Sequence, residues 1–125
     1  MYLVVRESLN MSPGKLAVQC GHAVDMLCEK SELAKNVDNK ERAEYLIESF
    51  VAWRKDNQRV KITLKADEKE WEKLHLLVKD QPTIEYVVVR DAGRTEIPAG
   101  SETVMGFWPM TRSSRPKLLC RLQKL

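Results

Sequence analysis

The chain has 125 residues, a net charge of +3 and a hydrophobic fraction of 43%, the balance of one ordinary globular domain. No stretch approaches the roughly eighteen apolar residues of a membrane-spanning helix, and the opening YLVVR is too short for a signal peptide, so a cytoplasmic protein without membrane contact is expected. Cys20, Cys28 and Cys120 are odd in number and form no CxxC pair, and Cys20 and His22 have no further Cys or His at ligand spacing, which predicts free thiols and no metal site.

Residues 2–6 are a short run rich in β-branched residues and read as a buried strand. Ser12 is a good N-cap and Pro13 suits the first helical position, where its missing N–H costs nothing. The first helix then runs from Pro13 to about Lys30. Leu16, Cys20, Ala23, Val24 and Leu27 make its apolar face. Residues 31–37 read as irregular. A second helix starts at Asp38, with Glu41 completing a capping box, and ends near Lys55. Its stripe is Ala43, Leu46, Ile47, Phe50 and Val51. RVKITLK at 59–65 alternates strictly and predicts a half-buried strand near a sheet edge. Asp67 and Glu70 open a third helix that carries Trp71, Leu74 and Val78 to about Asp80. The VVV run inside 84–90 predicts a central strand, and 102–108 a fourth strand stopped by Pro109. A short helix near Pro116 closes the order. Strands alternating with helices in one domain predict an α/β fold: a three-layer α/β/α sandwich around a mixed, roughly four-stranded sheet. The domain spans 1–125, with a basic segment at 111–125 that holds Arg112, Arg115, Lys117, Arg121 and Lys124 and no acid. That segment is compatible with a polyanion partner, although charged tails commonly serve only as wet surface.

Two stretches carry groups suited to chemistry. On the first helix Lys15, Gln19 and His22 fall within about 60° of one another, giving a polar stripe set away from the apolar face. It begins at a helix N-terminus, where free N–H groups favour an anion. Amphipathic helices have polar outer residues in any case, but Gly21 beside His22 suggests the close approach of another backbone. The second stretch is DAGRTEIPAGSET, 91–103, long for a strand connection. It places Asp91 just past the carboxyl end of a strand, where α/β proteins hold ligands, with Gly93 for a tight turn. Arg94 offers a fork for phosphate or carboxylate. Thr95, Ser101 and Thr103 offer neutral hydroxyls. No GxGxxG, P-loop or GxSxG pattern is present.

PGKLAVQCGHA (13–23) together with DAGRTEIPAGSETV (91–104) resembles the type 2 peptidyl-tRNA hydrolase family, and the likeness extends over nearly the whole chain. The resemblance implies an α/β/α domain that is often dimeric. It also implies cleavage of the ester joining a peptide to the terminal ribose of tRNA, with no metal or organic cofactor. The family's functional lysine falls on Lys15, its aspartate on Asp91 and its threonine on Thr103. Gln19, His22, Arg94 and Thr95 fall on motif positions at or near the site, and Ser101 lies in the same segment. Where the family shows KGK this chain has Pro13-Gly14-Lys15, and Val18, Gly21 and Phe107-Trp108-Pro109 also depart from it. A tryptophan at 108 would fill part of a cleft or stack on a base.

The residues suggest direct attack by water. Asp91 would orient or deprotonate it, Lys15 would stabilise developing charge or hold a phosphate, and Thr103 would bind water or substrate. His22 would shuttle a proton or brace the loop. Basic groups of the tail, with Lys61 and Lys65, would meet the RNA. Two other readings stay open: an inactive RNA- or protein-binding module on the same fold, and a hydrolase of another acyl-tRNA ester.

Overall fold

A computed structural model describes residues 1–125. In chain order the elements are strand β1 (Tyr2–Arg6), helix α1 (Pro13–Leu33), helix α2 (Lys40–Lys55), strand β2 (Ile62–Ala66), helix α3 (Glu68–Asp80), strands β3 (Tyr86–Arg90) and β4 (Glu102–Phe107), helix α4 (Lys117–Arg121) and strand β5 (Gln123–Lys124). They form one mixed sheet in the order β3-β4-β1-β2-β5. β1 runs parallel to β2 and antiparallel to β4; β3 and β5 are antiparallel to β4 and β2.

Alternation along β1 sends its side chains to two separate cores. Leu3 and Val5 pack with Ala23, Leu27, Leu46, Phe50, Val87 and Val104 beneath α1 and α2. Tyr2 and Val4 pack with Leu64, Trp71, Leu74, Met105, Phe107 and Leu119 beneath α3 and α4. The result is the expected three-layer α/β/α sandwich. Each fully buried aliphatic side chain in these layers contributes on the order of 1.5–3 kcal/mol. Gly106 sets the depth of α1 on the sheet. An added Cβ would meet Val87 Cγ2 at 3.1 Å, Leu27 Cδ1 at 3.2 Å and Ala23 Cβ at 3.3 Å, so any larger residue would push the helix outward.

Ser12 caps α1, accepting from the Lys15 N–H, and Asp67 and Glu70 complete the expected capping box of α3. Several expectations are corrected. The sheet has a fifth strand, because the basic tail folds back: Leu119 and Leu122 are buried and Gln123 pairs with Lys65. β2 lies next to that two-residue border strand, near the sheet edge as expected. β3 is an edge strand rather than central. Its VVV run is apolar because α1 covers Val87 and Val89 while Val88 packs on the opposite core. α1 extends to Leu33, followed by a 3-10 turn at Ala34–Asn36. The cap of α2 is Asn39, whose side chain accepts from the Arg42 N–H. Ile47 and Val51 are exposed, and Trp53 takes the buried position. β2 starts only at Ile62, since Gln58 and Arg59 turn through left-handed backbone and leave Val60 exposed. Phe107 and Trp108 are 0% and 2% exposed. Trp108 packs on Phe50 at 4.9 Å and donates to the Ser49 hydroxyl at 2.9 Å. It borders a cleft beside Tyr45 and Ile84 at the end of the sheet away from Lys15 and Asp91, and its buried ring offers no face for stacking.

Candidate functional site

β1, β2 and β3 end at the same edge of the sandwich, where β4 begins. Helix α1 starts at that edge, and the 91–101 connection crosses it. The connection closes on itself. The Asp91 N–H donates to the Ser101 carbonyl at 2.9 Å, and the Gly100 N–H to the Asp91 carbonyl at 2.7 Å. Gly93 has φ +75°, and a Cβ there would lie 2.5 Å from the Ala99 backbone. Only glycine fits such a fold-over. Ile97 is buried and anchors the lobe.

The pairing of β3 with β4 contains an irregularity. Val89 faces Val104 and Arg90 faces Glu102, which leaves Thr103 as the extra residue of a β-bulge. A bulge re-aims side chains. Here Thr103 turns toward α1 although Val104 beside it also packs in that layer, while Glu102 meets His75 of α3 at 2.8 Å.

Four of the candidate residues meet in one buried chain. Lys15 Nζ lies 2.5 Å from Asp91 Oδ1, and Gln19 Nε2 donates to the same oxygen at 3.2 Å. The Gly93 N–H donates to Asp91 Oδ2 at 2.6 Å. The Thr103 hydroxyl donates to Gln19 Oε1 at 2.6 Å. Gln19 is 2% exposed, Asp91 6% and Thr103 0%. The Lys15 ammonium holds the Asp91 carboxyl below the usual carboxylate range. Burial opposes this, and the Gly93 N–H and nearby His22 reinforce it. Asp91 is thus a fixed anion with both oxygens engaged.

Gln19 does not belong to an outward stripe. At about 100° per residue it lies some 40° from Ala23, on the flank of the apolar face, and it points inward. Thr103 likewise spends its hydroxyl on Gln19. His22, Arg94 and Thr95 are exposed, and Ser101 turns its hydroxyl to the Pro98 carbonyl at 2.7 Å. Gly21 borders open space, and no other part of the chain approaches it. The residue that sequence reasoning passed over is Glu96. Its carboxylate accepts from the Ser12 N–H at 2.9 Å and from the Ser12 hydroxyl. It therefore occupies the helix N-terminus expected to receive a substrate anion. Two bonds from Ser12 hold its carboxyl below the ordinary range. No signal in TEIP beyond an acid in a polar loop points to this.

No three His, Cys, Asp or Glu side chains gather to hold a metal ion. Two open clefts of about 580 and 380 Å³ lie at the opposite end of the sheet, around Tyr2, Trp53 and Arg112 and around Tyr45, Ile84 and Trp108. Neither touches Lys15 or Asp91. The start of the tail is at that far end too, with Arg115 over the Tyr2 ring at 5.6 Å. Lys65 is paired with Glu7 at 3.0 Å, and Lys61 lies over Trp53 at 5.1 Å.

Together these features define an α/β/α-sandwich domain whose polar site joins the first turns of a helix to the loop beyond an edge strand. The family model "Peptidyl-tRNA hydrolase PTH2" matches residues 1–125. The chain is 39% identical over 111 residues to a probable peptidyl-tRNA hydrolase 2 of Schizosaccharomyces pombe, covering 87% of this chain and 47% of that one. It is 36% identical over 114 residues to the peptidyl-tRNA hydrolase 2 of Saccharomyces cerevisiae, covering 90% and 51%. Against the peptidyl-tRNA hydrolase of Thermococcus onnurineus it is 34% identical over 108 residues, covering 86% and 80%. The chain belongs to the PTH2 peptidyl-tRNA hydrolase family. It spans about half the length or less of the first curated relatives it matches. No helix is long and apolar enough to cross a membrane.

Proposed function

We infer that this chain is an enzyme that hydrolyses peptidyl-tRNA, and the observation that carries the reading is the buried Lys15–Asp91–Gln19–Thr103 chain within a member of this family. Water attacks the carbonyl carbon of the ester that joins the peptide to the ribose. The bond from that carbon to the ribose oxygen breaks, the ribose oxygen takes a proton, and a peptide acid and free tRNA leave.

An aspartate held ionised beside an ammonium is a weak base and a good hydrogen-bond acceptor. Asp91 therefore orients the attacking water rather than storing its proton. Lys15 lies next to it, with its charge available to the oxyanion that forms on the carbonyl. Gln19 and Thr103 act one step back, holding Asp91 from behind. His22, exposed on the same helix and close enough to influence Asp91, would deliver a proton to the departing ribose oxygen. Arg94 and Thr95, exposed on the lobe, are the groups that would meet the 3′ end of the RNA, with Ser101 shaping the turn beneath them. The work is that of translation, and its place of action is the cytoplasm. The binding-module reading rests on Phe107-Trp108 and the basic tail, and of these the Phe107-Trp108 pair is buried.

The test is release of tRNA from an N-blocked aminoacyl-tRNA by wild type, Lys15→Ala and Asp91→Asn. Wild type should turn over, and each variant should lose on the order of 100-fold or more in kcat. Two folded variants with near-normal turnover would remove these assignments. A wild type that binds tRNA without turnover would leave the binding module.

A further inference from the structure

The first turn of α1 carries Lys15 and is only lightly packed, with Leu16 partly buried on the core. Ser12, Pro13 and Gly14 are exposed, a Cβ at Gly14 would meet no atom within 4 Å, and the first buried residue of the helix is Gln19. Pro13 has no N–H to offer, and the turn has no acid of its own to answer the helix dipole. Met11 and Leu16 pack partly on the core at either side, but the exposed Ser12–Gly14 stretch leading into Lys15 has no packing of its own. Hydrogen bonds given by Ser12 to Glu96 hold it. The Glu96 carboxylate accepts both the N–H and the hydroxyl of Ser12, and Ser12 Oγ accepts the Lys15 N–H at 3.4 Å. Glu96 itself is presented by a lobe that Ile97 and the Gly93–Ala99 contact hold closed. The path from Asp91 through the lobe to Glu96, Ser12 and Lys15 returns to Asp91 through the 2.5 Å ion pair.

We propose that Glu96 and Ser12 form a clasp that sets Lys15 against Asp91, which makes Glu96 a positioning residue for the hydrolysis inferred above. It touches neither water nor ester. A displacement of about 1 Å in a catalytic group costs up to about 100-fold in rate, so a clasp on a lightly packed turn has direct kinetic weight.

The experiment compares wild type, Glu96→Ala, Glu96→Gln, Ser12→Ala and the Ser12→Ala/Glu96→Ala double variant, with amide NMR spectra to verify the fold. The first readout is the Asp91 carboxyl titration followed by 13C NMR, which needs no substrate. Removing a negative charge near Asp91 would by itself lower its pKa. Cutting the clasp lets Lys15 drift and should raise it, so Glu96→Ala is expected to move Asp91 upward. Glu96→Gln loses the charge but keeps an acceptor for Ser12, and should not. The second readout is turnover. Glu96→Ala should lose about 10- to 100-fold in kcat with KM within about threefold, and Glu96→Gln should stay within about threefold of wild type. The double variant should lose clearly less than the product of the two single losses, since both changes cut the same path from Glu96 to Lys15. An Asp91 pKa that falls or stays put in Glu96→Ala, wild-type kcat in that variant, or multiplied losses in the double variant would each overturn the clasp. A wild type with no turnover would refute the hydrolase reading and leave the Asp91 titration to decide the clasp.

Discussion

Replacing Thr103 by Val separates a hydroxyl that works through Gln19 from one that works on substrate. Thr103 is fully enclosed, and the exchange swaps a hydroxyl for a methyl without opening a cavity. The loss is one donor. Gln19 Oε1, now 2.6 Å from the Thr103 hydroxyl, would stay buried without a partner, at a cost of about 1–3 kcal/mol. The added methyl returns up to about 0.8 kcal/mol, so from the middle of that range a net loss of about 1–2 kcal/mol is expected. Rotating the Gln19 amide gives no relief, because it would turn Oε1 toward the Asp91 carboxylate in place of Nε2, which now donates at 3.2 Å. For a domain of this size the loss lowers Tm by about 3–10 °C. Thermal melts followed by circular dichroism, with turnover on the same samples, would measure both consequences. Thr103→Ser, which keeps the donor, should recover most of each. Wild-type stability with abolished turnover would mean that the hydroxyl acts on substrate. Lost stability with full turnover would mean that Asp91 does not need Gln19.

Trp108→Ala should cost about 3–5 kcal/mol in urea denaturation, the range for emptying a large aromatic site, and leave the salt dependence of tRNA binding unchanged; an unmoved denaturation midpoint would contradict its core placement. Glu68 is held at about 2 by Arg6 and then Ser8, against an ordinary 4.5. Because its folded pKa is depressed, its contribution is complete above about pH 4.5 and is lost as pH falls toward 2. Glu68→Gln should therefore flatten that part of the acid-unfolding curve, and added salt should shrink the difference because the pair is exposed. Identical acid limbs for the two proteins would refute the assignment.

Periodicity exposed the helices and the two-layered core because burial imposes it directly. The Asp67–Glu70 box and the Ser12–Pro13 start were legible because capping depends on a few adjacent residues. Strand rank was not. A VVV run reports that both faces of β3 are covered, which α1 and the second core accomplish at an edge as well as in the centre. The inward turn of Gln19 was hidden because an amide on the flank of an apolar face looks polar until its partners, Asp91 and Thr103, arrive from more than 70 residues away. The bulge that aims Thr103 depends on register between two strands, which no local pattern carries. Glu96 escaped for the same reason: its partner Ser12 is 84 residues distant.

The two borders of the sheet also govern self-association. On one side lies β3, five residues long and interrupted at Val89/Arg90 by the bulge; on the other lies β5, only two residues long. Short or bent borders are poor templates for pairing with another chain. A homodimer that continued the sheet from one molecule into the next would find few backbone groups to bridge, so any pairing of two copies is expected through helix faces. The same borders should resist fibrillar stacking in concentrated solution.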